Sequence, residues 1–386
     1  MPASGDRLFT PTFFVMCGFT FTVFLFTFQL LPIAPYHIID LGGSTATAGL
    51  FLGFLTYSSA FSAPLTGAFA DRVGQRRILI VTSLALAVFS LIYAVLTDIR
   101  IMLAVAILHG IFWSGLLSAS SAYMTNLLPE HRRAEGIGYW GLSTLLAVAV
   151  SPSVGFWVYR HGWVWVCGFA AVLNLVMAGI AWQLKEHSHV EAAALPPPPT
   201  GFLERRVLIV SITLALYSFG YGGITSFSAM YADANGVTPK GIYLTALAIV
   251  ILATRPIFGR LGDRFGYKQV FVPCLVLISC GMALLAFGGS RWWMLVSALV
   301  FGVGYGTAYP TYVGYVMRGV RPDRRGAAFG AILAAFDTGI GSGSTLMGWI
   351  IDRHGFSNAF GTAAALSALA LPYFLMVDRW YTTPNS

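Results

Sequence analysis

Charged residues are scarce in this sequence. Only 10% of its 386 residues are Asp, Glu, Lys or Arg, whereas 57% are hydrophobic. A soluble globular domain carries about 25% charged residues, so this chain has too few of them to cover a water-exposed surface of its size. The deficit argues against a soluble enzyme, a nucleic-acid-binding domain and a disordered scaffold.

Cysteines and clustered metal ligands are also few. Each of the four cysteines lies within an apolar run, which indicates small buried side chains and not a disulfide framework or a metal cluster. His, Asp and Glu do not cluster inside the apolar runs, as a metal centre or acid–base catalysis would require. We therefore predict a protein that is not an enzyme, with no catalytic residues, no metal and no cofactor.

Long apolar runs, by contrast, fill the chain. A helix needs about 20 mostly apolar residues to cross the ~30 Å core of a bilayer. Twelve runs meet this requirement, and they predict an all-α polytopic membrane protein with twelve transmembrane helices. The runs are 12–34, 46–69, 78–96, 101–124, 136–158, 163–184, 206–230, 241–261, 269–288, 292–316, 327–350 and 357–377.

The loops between these runs differ in basic charge from one side to the other. With the amino terminus placed in the cytoplasm, most of the 23 Lys and Arg residues fall in cytoplasmic loops. Basic residues favour the cytoplasmic side of a membrane, so both termini are predicted to lie there. The basic residues on the outer side are Arg100, Arg160, Lys240, Arg291 and Arg353.

A proline-rich connection separates the first six runs from the last six. Pro196 to Pro199 favour extended polyproline II structure and carry no helical period. We predict an N-terminal six-helix bundle over residues 1–184, a cytoplasmic linker over 185–205 and a C-terminal six-helix bundle over 206–386.

The two halves repeat each other at a shift of 192 residues. At this shift Asp71 coincides with Asp263, and Gly110 coincides with Gly302. With six spans in each half, both halves start on the same membrane face and form parallel repeats. The repeated loop contains Gly67, Asp71, Arg72, Gly74 and Arg76 in the first half, and Gly259, Asp263, Arg264, Gly266 and Lys268 in the second.

Six plus six helices, the doubled G-x-x-x-D-R-x-G-x-R/K loop and the central linker resemble the major facilitator superfamily. Residues 129–136 and 336–341 are similar to its bacterial sugar- and drug-efflux branch. The resemblance implies a monomeric transporter of the bacterial inner membrane. It would export a small organic molecule by alternating access in exchange for protons. The alternative is a proton-linked importer of a sugar or organic acid.

The repeated loop has two readings. In the superfamily it latches the two halves in one conformation, and the resemblance implies the same gating role for its ten residues here. A carboxylate at this position can meet basic neighbours and the positive end of a helix, and the glycines allow a tight turn. The simpler alternative is that the loop only fixes local geometry and topology.

The fifth run partly matches the antiporter signature of the superfamily. Gly138, Pro152 and Gly155 stand at its spacing, but three of its glycines are replaced, by Ala147, Ser151 and Phe156. Proline removes a helix hydrogen bond and small residues allow close packing. A generic kinked helix remains the alternative explanation.

The fourth run departs from the efflux branch. Many members carry Arg-x-x-Gln-Gly here, but this chain reads Ala106-Ile107-Leu108-His109-Gly110. Histidine can change its charge near neutral pH, so His109 is a candidate for proton coupling or substrate contact. A hydrogen-bonded packing role is the other possibility.

Asp337 is the one acidic residue that the sequence places deep within a span, about 16 Å from the start of the eleventh run. A carboxylate at this depth costs about 2.5–3.5 kcal/mol on insertion scales. Arg255 is the one basic residue inside a span, at a depth within reach of Asp337. We predict that the two interact and that protonation of Asp337 releases the pair. A permanent structural ion pair is the alternative.

The resemblance implies that spans one, four, seven and ten line the substrate cavity. Aromatic and neutral polar side chains on these spans would suit an apolar or sugar-like ligand, although aromatic stripes also serve in packing. The predicted cavity residues are Gln29, His109, Trp113, Tyr217, Tyr221, Tyr305, Tyr309 and Tyr312.

Overall fold

The computed structural model describes residues 8–129, 132–185, 205–258, 261–320 and 325–382. Within these ranges every regular element is an α-helix, as the apolar runs predict. The helices are α1 (Pro11–Leu30), α2 (Ala34–Asp40), α3 (Thr45–Val73), α4 (Gln75–Val95), α5 (Ile99–Leu127), α6 (Arg133–Tyr159), α7 (Trp163–Gln183), α8 (Arg205–Ala234), α9 (Ile242–Phe258), α10 (Leu261–Phe265), α11 (Tyr267–Phe287), α12 (Arg291–Arg318) and α13 (Arg325–Thr382).

The helices correspond to the twelve predicted spans. The short helices α2 and α10 extend α1 and α9, and α13 is broken at Gly355, where φ is 80°. In the described ranges, nine helices are long and apolar enough to cross a membrane, and one of these, Ala328–Arg379, has 52 residues, enough for two crossings. Many large apolar side chains are exposed, as lipid-facing residues are; they include Phe61, Trp157, Trp182, Phe287 and Trp292.

The internal repeat is visible in the helix boundaries. Helices α4 and α11 start at Gln75 and Tyr267 and end at Val95 and Phe287, so both ends are displaced by 192 residues. The glycines before them, Gly74 and Gly266, have φ of 108° and 94°. A positive φ strains residues that have a side chain, and this accounts for a glycine at the same turn of both halves.

The described residues form two compact units. One comes from Met1–Leu30 with Ser62–Pro196, and the other from Leu31–Phe61 with Pro197–Ser386. The first part of α3 therefore packs with the helices of the second sequence half. Most of the predicted linker lies outside the described residues, and the boundaries of the two bundles stay a prediction.

In the first unit, α6 lies close against α1. A Cβ atom at Gly155 would stand 2.9 Å from the carbonyl oxygen of Gln29, so only glycine fits there. Trp140 Nε1 donates to Thr20 Oγ1 over 2.6 Å on the same pair of helices. Pro152 lies inside α6, three residues before Gly155.

In the second unit, α13 lies against both α8 and the first part of α3. Ser218 Oγ donates to the carbonyl oxygen of Phe336 over 3.1 Å. Ser344 Oγ donates to the carbonyl oxygen of Gly49 over 2.9 Å, and the hydroxyls of Tyr57 and Ser342 lie 3.0 Å apart. Small residues and hydroxyls therefore hold three helix segments in close contact along the first part of α13, before the break at Gly355.

Candidate functional site

Asp337 lies in α13, about 18 Å along the helix axis from Arg325. Its Oδ2 accepts a hydrogen bond from Ser59 Oγ of α3 over 3.1 Å. The preceding residue, Phe336, has its ring 5.1 Å from that of Tyr309 and 6.4 Å from that of Tyr305, both on α12, measured between centroids. Among the described side chains, no basic group forms an ion pair with it. Among the described residues, the hydroxyl of Ser59 therefore supplies the hydrogen bond to this carboxylate.

Aromatic rings gather next to this carboxylate. Tyr305 is stacked against Tyr221 of α8, with ring centroids 4.5 Å apart, and against Phe301 of its own helix at 5.2 Å. Tyr217 meets Tyr305 edge to face at 5.9 Å. Tyr309 packs against Phe336 at 5.1 Å. We call Tyr217, Tyr221, Tyr305 and Tyr309 the tyrosine cluster.

The buried hydroxyl groups of these tyrosines differ in their partners. The hydroxyls of Tyr217 and Tyr305 are buried and have no hydrogen-bond partner in the part of the chain that the structure describes. Tyr312 was predicted to share their role, but its hydroxyl lies 2.9 Å from Ser211 Oγ and its ring packs on Phe271. The structure thus brings four of the five predicted cavity tyrosines together with Asp337, and it places Tyr312 in a packing contact between α8 and α12.

His109 lies in the first unit, inside a shell of aromatic rings. Its ring is parallel to that of Phe26, with centroids 5.7 Å apart, and 6.4 Å from that of Phe89. Nδ1 is 3.4 Å from the Tyr93 hydroxyl, and Nε2 is buried without a partner. This environment fits the packing alternative and leaves a single nitrogen able to bind a ligand or proton.

Gln29 and Trp113 are the other predicted cavity residues of the first unit. Gln29 is fully buried; its Nε2 donates to the carbonyl oxygen of Val166 over 3.4 Å, and its Oε1 has no partner. Trp113 meets Phe24 edge to face at 6.0 Å. Both side chains lie in the interior of the unit. Among the described residues, the Oε1 atom of Gln29 accepts no hydrogen bond.

The repeated loop is described in part. Arg76 Nη2 donates to the carbonyl oxygen of Trp182 over 2.7 Å, and its guanidinium lies over the Trp182 ring. Lys268, at the equivalent position, pairs with the carboxylate of Asp378. Arg72 and Arg264 are exposed, and a Cβ at Gly67 would meet no atom within 4 Å. The side chains of Asp71, Asp263 and Arg255, and all of Gly259, lie outside the described residues.

Two functional candidates were missed by reasoning from the sequence. Ser59 is one serine among several on α3, and no local pattern shows that it faces a residue 278 positions away. Asp378 stands near the end of the last span, where no local pattern marks it. Its partner Tyr315 coincides with Tyr123 in the repeat, and the two hydroxyls bind Asp378 and the carbonyl oxygen of Lys185 respectively.

Helix number, length, apolar surface and internal repeat define an all-α polytopic membrane protein. The sequence profile of the Major Facilitator Superfamily matches residues 13–251 and 210–385, and the chain belongs to this family. Among the residues that the structure describes, no three His, Cys, Asp or Glu side chains form a metal-binding group.

Curated relatives are similar over nearly the whole chain. The uncharacterised MFS-type transporter YhhS of Salmonella paratyphi C (strain RKS4594) is 25% identical over 363 residues, covering 92% of this chain and 89% of the relative. YhhS of Escherichia coli (strain K12) is 24% identical over 362 residues with the same coverage. The relatives are transporters and not enzymes.

Solved structures share the fold at low sequence identity. The nucleoside transporter NupG has a TM-score of 0.77 and 16% identity, and the alignment covers 96% of this chain and 100% of NupG. The peptide transporter POT, in a mutant form in complex with sulfate, has a TM-score of 0.76 and 13% identity, covering 96% of this chain and 94% of POT. These likenesses concern the fold. The efflux branch predicted from the sequence stays a prediction.

Proposed function

We propose that this chain is a proton-coupled secondary transporter that exports a small organic molecule by alternating access, with Asp337 as the proton-binding group. The observation that carries the proposal is a carboxylate in the middle of a membrane-spanning helix whose described neighbours are hydroxyls and aromatic rings. Keeping such a group charged costs free energy. Binding a proton removes that cost, and this ties the charge state of Asp337 to the state of the helices around it.

Arg255 and His109 have supporting roles in this proposal. Arg255 lies on α9 and would pair with Asp337 in one state and release it when the proton binds. His109 has one free ring nitrogen in the first unit, and we assign it a packing role first and substrate contact second. The tyrosine cluster, with Gln29 and Trp113, would line the substrate path, and the repeated loop would act as the gate.

The sequence of α6, the helix of the fifth apolar run, supports export. Gly138, Pro152 and Gly155 of α6 follow the antiporter signature, and Gly155 meets the backbone of Gln29, a predicted cavity residue. The equivalent position of Pro152 in the second half, at Thr345, carries no proline. A proline in the first half without a counterpart in the second is what the exchanger signature shows.

We further propose a bacterial inner-membrane location, cytoplasmic termini and a monomeric working state.

The test uses inverted membrane vesicles whose interior is acidified by ATP-driven proton pumping. A screen across neutral, cationic and anionic compounds identifies a solute that accumulates only when the chain is present. We expect Asp337→Asn to reduce gradient-driven accumulation and substrate-driven proton flux more than tenfold, because the amide cannot carry the proton.

Asp98→Asn is the matched control. Asp98 is a carboxylate that caps α5 by accepting from the backbone of Arg100, and asparagine caps helices equally well. This variant should transport like the parent. Normal proton flux in Asp337→Asn contradicts the coupling role of Asp337, and accumulation only in right-side-out vesicles shows import instead of export.

A further inference from the structure

Two buried phenol groups of the tyrosine cluster lack hydrogen-bond partners. Tyr217 is 0% exposed and Tyr305 is 8% exposed, and among the described residues neither hydroxyl has a hydrogen-bond partner. Leaving a buried polar group unsatisfied costs about 1–3 kcal/mol. Natural proteins rarely leave such groups without a protein or water partner. A pair of them in contact therefore indicates a place where another molecule binds.

Other buried tyrosines in the same unit show that the pair is exceptional. The hydroxyl of Tyr312 lies 2.9 Å from Ser211 Oγ, and that of Tyr243 lies 3.1 Å from Ser297 Oγ. Tyr231 donates to the carbonyl oxygen of Leu285 over 2.9 Å. These three tyrosines are also buried between helices, and the hydroxyl of each has a hydrogen-bond partner within the protein. Tyr217 and Tyr305 are the two cluster members whose hydroxyls are left for a ligand.

The hydrogen-bonding capacity of the pair limits the class of ligand. An ammonium group can donate to a phenol oxygen, but it has no acceptor and leaves the phenol O–H groups of both tyrosines unsatisfied. An organic anion would meet the carboxylate of Asp337, which directly follows Phe336 in α13, and the Phe336 ring lies 6.4 Å from that of Tyr305. A hydroxyl group accepts from one partner and donates to another, so it can satisfy both the phenols and the carboxylate. A carbonyl group satisfies the phenols alone.

We propose that Tyr217 and Tyr305 donate hydrogen bonds to a neutral organic solute that carries hydroxyl or carbonyl oxygens and one apolar face. The aromatic rings of Phe336 and Tyr309 supply the apolar wall, and Asp337 accepts from a solute hydroxyl. The inference rests on the proposed transport function and names the substrate class of its site.

Binding of matched probes to the purified full chain tests the inference. The probes share a phenyl ring: phenyl β-glucoside is neutral and hydroxylated, benzyltrimethylammonium is cationic, and benzoate is anionic. Isothermal titration calorimetry at neutral pH should detect phenyl β-glucoside and should show weaker or no binding of the two ions. Tyr217→Phe and Tyr305→Phe should each weaken glucoside binding about three- to tenfold, the value of one neutral hydrogen bond.

Tyr312→Phe and Tyr243→Phe are the controls, because they remove hydroxyls that bond within the protein. They should leave glucoside affinity within about twofold of the parent while lowering thermal stability. Tyr217→Phe and Tyr305→Phe should unfold at or above the parent temperature, since each removes an unsatisfied group.

Three results would overturn the inference: no glucoside binding to the parent, tighter binding of either ion, or unchanged affinity in both cluster variants. The third result would mean that the two hydroxyls bind water and not the solute. The binding assay contains no membrane and no proton gradient. A failure here therefore leaves the coupling role of Asp337 standing, and a failure of vesicle export leaves the assignment of the binding pair standing.

Discussion

Asp378 is a carboxylate buried near the end of α13, with 5% of its side chain exposed. It accepts from Lys268 Nζ and, over 2.5 Å, from the hydroxyl of Tyr315. Lys268 is 44% exposed, so much of its charge remains in contact with solvent. The arrangement ties the repeated loop of the second half to its last helix, whereas Arg76 in the first half uses a backbone carbonyl for the same purpose.

Removing the lysine should leave the buried carboxylate with one charged partner fewer. Lys268→Ala should destabilise the protein by about 1–3 kcal/mol, the range for hydrogen bonds to charged groups, measured by thermal unfolding in detergent. The double variant Lys268→Ala with Asp378→Asn should lose less than the sum of the two single variants. Arg264→Ala, which removes an exposed basic residue of the same loop, is the control. Additive losses would contradict a direct pair.

Single residues were predictable where composition or spacing marks them. Asp337 stands out because an acidic side chain within an apolar run is costly, and Tyr305 and Tyr309 stand out through their i, i+4 spacing on one helix face. The stack of Tyr305 between Tyr221 and Phe301 was not predictable, because it depends on how α8 and α12 meet. The same holds for Tyr312, whose spacing matches the cluster but whose hydroxyl faces Ser211.

Helix α13 shows how glycines set the distance between elements. A Cβ atom at Gly343 would collide with the backbone carbonyl of Phe219 on α8, and one at Gly53 would collide with the hydroxyl of Thr345. Backbone atoms cannot rotate away from such a clash as a side chain can. The contact between α8 and α13 therefore depends on the absence of a side chain at Gly343.

Two alanine substitutions in the same helix separate packing from helix propensity. Gly343→Ala should cost about 1–3 kcal/mol, because the new methyl group forces the helices apart. Gly330→Ala should be neutral or stabilising by up to about 1 kcal/mol, because a Cβ there meets no atom within 4 Å and alanine favours helix. Thermal unfolding measures both. Equal stability changes in the two variants would contradict the close packing at Gly343.

At the element level, the apolar runs predict the helices well. The run 163–184 corresponds to α7 at Trp163–Gln183, and the run 269–288 to α11 at Tyr267–Phe287. The break at Gly355 also agrees with the gap between the last two runs. The apolar runs do not predict the extension α2, because Ala34–Asp40 is too short and too polar to be recognised as a membrane span.

On the scale of the whole molecule, the sequence predicts the internal repeat, but it does not predict that α3 is divided between the two compact units. The shift of 192 residues appears in both the sequence and the helix boundaries. The first part of α3 nevertheless joins the helices of the second sequence half. Thr45 Oγ1 donates to the carbonyl oxygen of Gly348 over 3.1 Å and contacts Asp352 Oδ1 at 3.2 Å. Contacts between residues some 300 positions apart leave no trace in hydrophobic periodicity.

If the proposed alternating-access mechanism operates, we expect this contact between α3 and α13 to open and close in each cycle. In a variant whose four free cysteines are replaced by alanine, Thr45→Cys with Asp352→Cys should be joined by a short bifunctional methanethiosulfonate cross-linker, which attaches through disulfide bonds that a reductant cleaves. Transport in vesicles should then fall more than tenfold and recover on reduction, because the linked helices cannot separate.

The control pair, Asp233→Cys with Lys240→Cys, replaces an exposed ion pair within the second sequence half. Linking it should leave transport near the parental rate, because both residues belong to the same half and move together. Full transport by the cross-linked Thr45–Asp352 pair would mean that this contact stays closed throughout the cycle, and the proposed movement would have to occur elsewhere in the fold.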